Sequence, residues 1–220
     1  MNERIQKLKP AAFLFDLDGT LIDSEMLWAR AIVEWLADYG AAAPLDDIAT
    51  LVFGHSWFDI HAALLERFPS LPRRSPARNA LELRVHYDRI STDSSSLIIR
   101  SAVAFYREAA KFAPCAIVSG SPHDDVAAAA QLCGIAAETS FVLGAEDYAC
   151  GKPAPDGYRL AAQRLNAEPA ACLVIEDSTA GVHAGLAAGM KVIGINRNHA
   201  ISQDFTGCLL TVTDLSELHP

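Results

Sequence analysis

Residues 13–25 read Phe13-Leu14-Phe15-Asp16-Leu17-Asp18-Gly19-Thr20-Leu21-Ile22-Asp23-Ser24-Glu25. An apolar run ends on two acids at i and i+2, and Gly19 and Thr20 then turn the chain. Side chains alternate faces along a strand, so acids two apart point the same way. Two carboxylates aimed into one pocket repel each other unless a cation or a shared proton relieves them. A purely structural element gains nothing from that arrangement. A site that needs a nucleophile, an acid and a cation in one place does.

Outward from this stretch, short apolar runs at 11–15, 115–118, 140–143, 172–175 and 191–195 predict buried strands. Between them, helical spacing covers 124–133, 156–165 and 178–188. Strands alternating with helices at this interval predict an α/β fold, a Rossmann-like parallel sheet with helices on both faces. Ligands of such sheets bind at the carboxyl ends of the strands. Three predicted strand ends carry polar residues there: Asp16 with Asp18, Ser119 with Ser121, and Glu176 with Asp177.

The stretch between the first two strands differs. Residues 24–93 read as helical throughout, which predicts an inserted all-helical cap at 23–96 and a core made of 1–22 and 97–220. Asp23 or Ser24 is placed to cap the first cap helix, and Trp28, Ile32, Trp35 and Tyr39 fall on one face of it. Ser56 is placed to cap a second helix with the stripe Ile60, Leu64 and Phe68. Ser75 before Pro76 starts a third, after a loop over 68–76. All three tryptophans (Trp28, Trp35, Trp57) lie in this insert. Trp35 is expected in its small core, whereas Trp28, nearer the strand end, is free to face a cleft.

The chain has 220 residues, 51% of them hydrophobic and 20% charged, which suits one substantial core plus a smaller module and excludes wholesale disorder. Its 18 basic and 27 acidic residues leave a net charge of −9, which argues against nucleic acid as a partner. The five cysteines are scattered with no CxxC pair, as expected of reduced thiols in a cytoplasmic protein. No apolar run is long enough to span a membrane, no signal peptide is evident, and a monomer is expected.

Transfer of a phosphoryl group through a covalent intermediate needs a nucleophile, a general acid, donors for the non-bridging oxygens and a cation. Asp16 stands at a strand end, where a nucleophile would act, and Asp18 two residues on faces the same pocket without sharing its line of attack. The segment VSGSP (118–122) offers a hydroxyl, close backbone approach at Gly120 and the start of a helix. Lys152, in CGKPAPDGY (150–158), is suited to bridge a phosphate and a carboxylate. Glu176 and Asp177 beside Asp16 would make a hard, oxygen-rich site of the kind that holds magnesium. A dinucleotide-binding reading fails because no GxGxxG follows the first strand.

The string DLDGTLIDSE (16–25), followed in order by Ser119, Lys152 and Glu176-Asp177, resembles the four motifs of the haloacid dehalogenase superfamily, and its nearest likeness is to the phosphoglucomutase-like phosphatases with a helical cap. The resemblance implies a phosphoric monoester hydrolase acting on a small phosphorylated metabolite, with a sugar phosphate expected. It implies an aspartyl-phosphate on Asp16 and acid/base work by Asp18, whose backbone carbonyl would also bind Mg2+. It implies phosphate held by Ser119, Gly120 and Lys152, and metal held by Asp16, Asp18 and Asp177 with help from Glu176. By position, Phe53-Gly54-His55-Ser56 corresponds to the family's substrate-specificity loop, which makes Trp28, Gly54 and His55 the expected specificity residues.

The resemblance also separates activities within the family. Dehalogenases lack an acid at the position of Asp18, and phosphonatases place a lysine in the first cap helix, where 25–39 has none. Mutases of the β-phosphoglucomutase type have a histidine where Trp28 stands and an arginine three residues after a cap glycine. With Gly54 as that glycine, Trp57 takes the arginine's place, so hydrolysis is expected, with a sugar-phosphate mutase as the alternative. A phospho-receiver signalling domain combines similar groups but is shorter, has no helical insert and is phosphorylated at a later strand. Ile98-Ile99-Arg100-Ser101-Ala102-Val103 lacks the Pro-Gly turn that relatives often carry on the return from the cap, which predicts a differently built hinge.

Overall fold

A computed structural model describes residues 3–55, 57–91, 94–197 and 202–218. Ser56, expected as a helix cap, lies outside the described residues, as do His199 and His219. The chain divides into two compact units, Met1–Asp23 with Ile98–Pro220, and Ser24–Leu97.

The larger unit opens with a short helix, α1 (Glu3–Leu8), which buries Ile5. Strand β1 (Ala12–Phe15) follows, and after the smaller unit the chain continues through helix α6 (Arg100–Ala110), β2 (Cys115–Val118) and α7 (His123–Leu132). Next come β3 (Thr139–Leu143), α8 (Asp156–Arg164), β4 (Cys172–Glu176), α9 (Thr179–Ala187), β5 (Lys191–Ile195) and β6 (Leu210–Val212). The six strands form one parallel sheet in the order β3-β2-β1-β4-β5-β6. This is the expected α/β sheet, with β6 as an additional edge strand.

The central strands carry no exposed residue, as a sheet covered on both faces requires. On one face Ala12, Leu14, Val118 and Val174 pack with Tyr158, Ala161, Val182 and Ala184 from α8 and α9. On the other, Phe13 and Phe15 meet Phe105 and Tyr106 of α6, with the Phe15 and Tyr106 rings 4.6 Å apart. Register fixes where the chemistry emerges. Phe15 is level with Ile117 on one side and Ile175 on the other, so the residues that leave β1, β2 and β4 do so together. The return segment lacks a Pro-Gly turn, and the structure uses strand-like contacts instead. Ile98 bridges antiparallel to Ile22, Ile99 N–H donates to Leu21 O (3.0 Å), and α6 starts at Arg100.

The smaller unit contains helices α2 (Glu25–Asp38), α3 (Leu45–Val52), α4 (Trp57–Arg67) and α5 (Pro76–Ile90). Trp35 is buried among them at 1% exposure, and its indole N–H and the Tyr39 hydroxyl both reach Glu82 Oε2. Ser75 caps α5 through Arg78 N–H, with Pro76 at the first helical position. Ser24 occupies the N-cap position of α2 but has helical dihedrals and makes no side-chain cap bond.

Candidate active site

The first loop begins where Asp16 leaves β1, its N–H bonded to Ile175 O (3.0 Å). Gly19 has φ of +82°, a region that side-chain-bearing residues rarely occupy. A Cβ there would also lie 2.0 Å from Asp177 Oδ2, so glycine is needed both for the turn and for the approach of two motifs. The next residue ties them: Thr20 Oγ1, fully buried, donates to Asp177 Oδ1 (3.1 Å). The loop then closes on itself, with Leu21 N–H and Ile22 N–H both bonded to Leu17 O.

The loop after β2 meets this one through hydroxyls. Ser119 Oγ (3.2 Å) and Ser121 Oγ (2.7 Å) both donate to Asp18 Oδ2, and Ser121 N–H donates to Ser119 Oγ. Gly120 lies between the two serines. From behind, the Tyr148 hydroxyl donates to Ser119 O (2.7 Å). His123, at the start of α7, bonds Asp147 Oδ2 (2.7 Å), which also accepts from Gly144 N–H, so this loop is tied to the one after β3.

Lys152 completes the arrangement from the loop before α8. Its ammonium contacts both Asp16 Oδ1 and Glu176 Oε1 (2.5 Å to the latter). Glu176 is wholly buried at the end of β4, and both its oxygens are occupied. Oε1 accepts from Lys152 and from the Tyr158 hydroxyl (2.8 Å). Oε2 accepts from Asp177 N–H, Ser178 N–H and Ser178 Oγ.

Burial opposes charge at Asp16 and pushes its carboxyl well above the usual range. Lys152 pulls it down, while the Glu176, Asp177 and Asp18 carboxylates push it further up. Burial alone would lower the Lys152 ammonium, but Asp16 and Glu176 carry it well above its ordinary value, so the lysine is charged. Asp16 thus lies among three further carboxylates and one ammonium, which pairs with Asp16 and Glu176. Asp16, Glu176 and Asp177, all buried, each offer an oxygen, and these lie within 4.8 Å of one another. Hard oxygen donors and an excess of negative charge fit a small divalent cation.

Every core residue expected from the sequence is in this cluster: Asp16, Asp18, Ser119, Gly120, Lys152, Glu176 and Asp177. Thr20, Tyr148 and Tyr158 join it as partners that the sequence pattern does not place there, and Ser121, at the same strand end as Ser119, proves to bond Asp18. Ser121 repeats at i+2 from Ser119 the pattern that singled out Asp18, which is a readable signal. The tyrosine hydroxyls act across α/β packing, which local spacing does not encode.

Trp28, Gly54 and His55 belong to the smaller unit. Trp28 stacks on Tyr87, with ring centroids 3.9 Å apart. Gly54 has φ of +73°, and its N–H donates to Glu25 Oε1 (2.9 Å). His55 Nδ1 lies 3.0 Å from Phe53 O. Trp57 donates its indole N–H to Pro76 O (2.9 Å) and packs on His61.

Comparison with known proteins gives the same grouping. Hexitol phosphatase A of Escherichia coli is 34% identical over 186 residues, covering 84% of this chain and 82% of its own. A β-phosphoglucomutase of Mycobacterium bovis is 32% identical, covering 96% and 92%. Among solved structures, CbbY of Rhodobacter sphaeroides in complex with xylulose-(1,5)bisphosphate shares the fold. Its TM-score is 0.82 at 22% identity, covering 95% of this chain and 96% of that one. Residues 10–189 match the haloacid dehalogenase-like hydrolase family, which spans the whole cluster from Asp16 to Asp177. With that match, and with the acids, hydroxyls and lysine brought together at the strand ends, the chain belongs to the haloacid dehalogenase-like hydrolases.

Proposed function

We propose that the protein is a magnesium-dependent phosphatase that hydrolyses a small phosphorylated metabolite, a sugar or sugar-alcohol phosphate, through an aspartyl-phosphate on Asp16. The carrying observation is the Asp16 carboxyl held against the Lys152 ammonium, with Asp18 on the neighbouring loop bonded to two serine hydroxyls. In this reading an Asp16 oxygen attacks phosphorus as the bond to the leaving oxygen breaks. Asp18, in its protonated form, gives its proton to that oxygen. The Asp18 carboxylate then takes a proton from water, which attacks phosphorus and releases Asp16. Ser119, the Gly120 N–H and Lys152 bind the non-bridging oxygens.

Asp16 and Asp177, together with Asp18, are the residues that would hold magnesium, and the ion would supply positive charge against the phosphate and the clustered carboxylates. Glu176 is better suited to another task. With five donors on its two oxygens, it serves as the fixed counter-charge of Lys152, which narrows the metal set expected from the sequence. All five cysteines are free, which fits action in a reducing cytoplasm.

The relative named as a β-phosphoglucomutase keeps a second reading open. A mutase must hold a second phosphate. At the two cap positions where such enzymes place a histidine and an arginine, this chain has Trp28 and Trp57, each packed on a neighbour within its own unit. Hydrolysis is therefore favoured.

The test is phosphate release from a panel of hexitol, sugar and nucleotide phosphates, with magnesium or with chelator, beside Asp16→Asn. Release that requires both magnesium and Asp16 supports the proposal. Conversion of a sugar 1-phosphate to its isomer without release would replace it with the mutase reading.

A further inference from the structure

Tyr158 carries a hydroxyl that its packing does not need. The side chain is 1% exposed and belongs to the core between the sheet and the helices, alongside Ala12, Leu14, Val118 and Val182. Phenylalanine would fill that space equally well, and burying a hydroxyl is unfavourable unless a partner receives it. The partner is Glu176 Oε1, at 2.8 Å. That same oxygen receives the Lys152 ammonium at 2.5 Å. The lysine nitrogen also stands 5.2 Å from the centre of the Tyr158 ring. One tyrosine therefore touches both members of the ion pair that holds Lys152 against Asp16.

The other side of Glu176 is closed. Its Oε2 is held by two main-chain N–H groups and the Ser178 hydroxyl. Helix α9 approaches so closely that a Cβ on Gly181 would stand 1.7 Å from Oε1. The carboxylate is pinned at Oε2, and its remaining freedom, a turn that swings Oε1, is restrained by the Tyr158 hydroxyl.

We propose that Tyr158 is a positioning residue for the phosphoryl site: its hydroxyl fixes the Glu176 carboxylate, which in turn aims the Lys152 ammonium at the oxygens of the bound phosphoryl group. The inference rests on the phosphatase reading of the site. Loss of the hydroxyl leaves Lys152 charged and buried but free to follow a rotating Glu176. Supporting groups one shell out from a reactive site are worth about 10- to 100-fold in affinity or activity.

The experiment measures binding of inorganic phosphate in the presence of magnesium by calorimetry, which does not require turnover. The proteins are the wild type, Tyr158→Phe, Lys152→Ala and the double variant. Tyr148→Phe serves as a companion, because it removes a hydroxyl near Lys152 that bonds Ser119 O instead. Expected are about tenfold weaker binding in Tyr158→Phe with an unchanged melting temperature, and no further loss when Tyr158→Phe is added to Lys152→Ala. Tyr148→Phe should weaken binding by the same factor whether or not Lys152 is present. Wild-type affinity in Tyr158→Phe, or a loss that persists undiminished without Lys152, would overturn the positioning role. If the wild-type protein binds no phosphate, the phosphatase reading fails and this inference falls with it, an outcome distinct from the other two. Should Tyr158→Phe fold poorly, Tyr158→Trp keeps a ring in the core and an N–H donor off the position of the hydroxyl. Binding as weak as in Lys152→Ala supports the proposal there, and wild-type binding refutes it.

Discussion

Gly181→Ala is the sharpest single test of how this site is held. In the structure the new methyl would stand 1.7 Å from Glu176 Oε1, 1.9 Å from its carboxyl carbon and 2.2 Å from Oε2. Real Cβ contacts closer than 3.0 Å essentially do not occur, so something must move by more than an ångström. A long side chain usually yields at little cost, but this one cannot turn away without breaking bonds from Lys152, Tyr158, Asp177, Ser178 N–H and Ser178 Oγ. The alternative is for α9 to back off the sheet, where Gly185 already lies so close that a Cβ would be 2.8 Å from Val192. Overpacking of this kind costs about 1–3 kcal/mol. Gly181 lies in the first turn of α9, and alanine in place of a helical glycine returns at most about 1 kcal/mol. The net loss of up to about 2 kcal/mol corresponds to a fall in melting temperature of about 4–8 °C for a chain of this size. Activity is the more telling readout, because the cheapest relaxation frees Lys152, and phosphate release should fall at least about tenfold. Thermal melting and phosphate release on the same preparation decide it. A variant with wild-type turnover and a raised melting temperature, as helix propensity alone would give, refutes the close approach of α9 to Glu176.

Three other perturbations probe the rest of the site. Magnesium should raise the wild-type melting temperature, because at a hundredfold excess over Kd it stabilises the fold by about 2.7 kcal/mol. That shift should vanish in Asp177→Asn but persist in Glu176→Gln, whose phosphate release is nonetheless lost, and the reverse pattern would return Glu176 to the metal set. Gly19→Ala meets both a φ of +82° and a contact of 2.0 Å with Asp177 Oδ2, so magnesium-dependent stabilisation should weaken together with activity, while wild-type magnesium titration would contradict the steric argument. The hydrogen bond to Asp147 holds the His123 imidazole above its ordinary value; Glu146 and Asp124 add to the rise. Asp147 is held below its own despite its burial, through His123, Gly144 N–H and Arg164. His123 thus stabilises the fold fully below about pH 6.5, and this contribution is lost as pH rises through its folded value. The Asp147 contribution is present above about pH 4 and lost as pH falls. Melting curves of wild type and His123→Gln should therefore differ most between about pH 4 and 6.5 and converge at higher pH, and an offset that persists unchanged as pH rises well above 6.5 would show that the pair does not titrate as described.

What the sequence disclosed follows from how far each interaction reaches along the chain. The acids at i and i+2, the hydroxyl after an apolar run and the acids that end β4 are local patterns, and strand periodicity suffices to place them at one end of a sheet. β6 escaped because three residues at a sheet edge, one of them exposed and one only partly buried, carry too little apolar pattern to stand out. Helix α1 escaped because six residues, mostly polar, bury little beyond Ile5. Ser24 illustrates a different limit. Its type and place suggest a side-chain cap, yet the chain enters α2 in a conformation already helical, and the cap bond is not made. The occupancy of Glu176 was illegible for a further reason. Of the five groups on it, those of Asp177 and Ser178 are near in sequence, but Lys152 and Tyr158 reach it from 24 and 18 residues away.

The division of the carboxylates follows from what would happen to charge during the proposed phosphoryl transfer. Phosphorylation of Asp16 would move negative charge from its carboxylate onto the phosphoryl oxygens, which depart when the intermediate is hydrolysed. A buried ammonium whose only counter-charge was Asp16 would have a partner that changes at every step, and a buried charge without a well-placed partner is strongly unfavourable. Glu176 removes this difficulty because its charge does not change. It accepts Lys152 on one oxygen, and the strand-end amides and the Ser178 and Tyr158 hydroxyls hold its carboxyl in place at full burial. The same saturation makes it a poor competitor for a cation, which leaves that work to Asp16 and Asp177. Asp177 in turn accepts a hydrogen bond from Thr20 on Oδ1. Two adjacent acids of identical charge at the end of β4 thereby differ in what surrounds them: five hydrogen-bond donors on the two oxygens of Glu176, and at Asp177 an oxygen within 4.8 Å of one from Asp16, a placement that suits a shared cation.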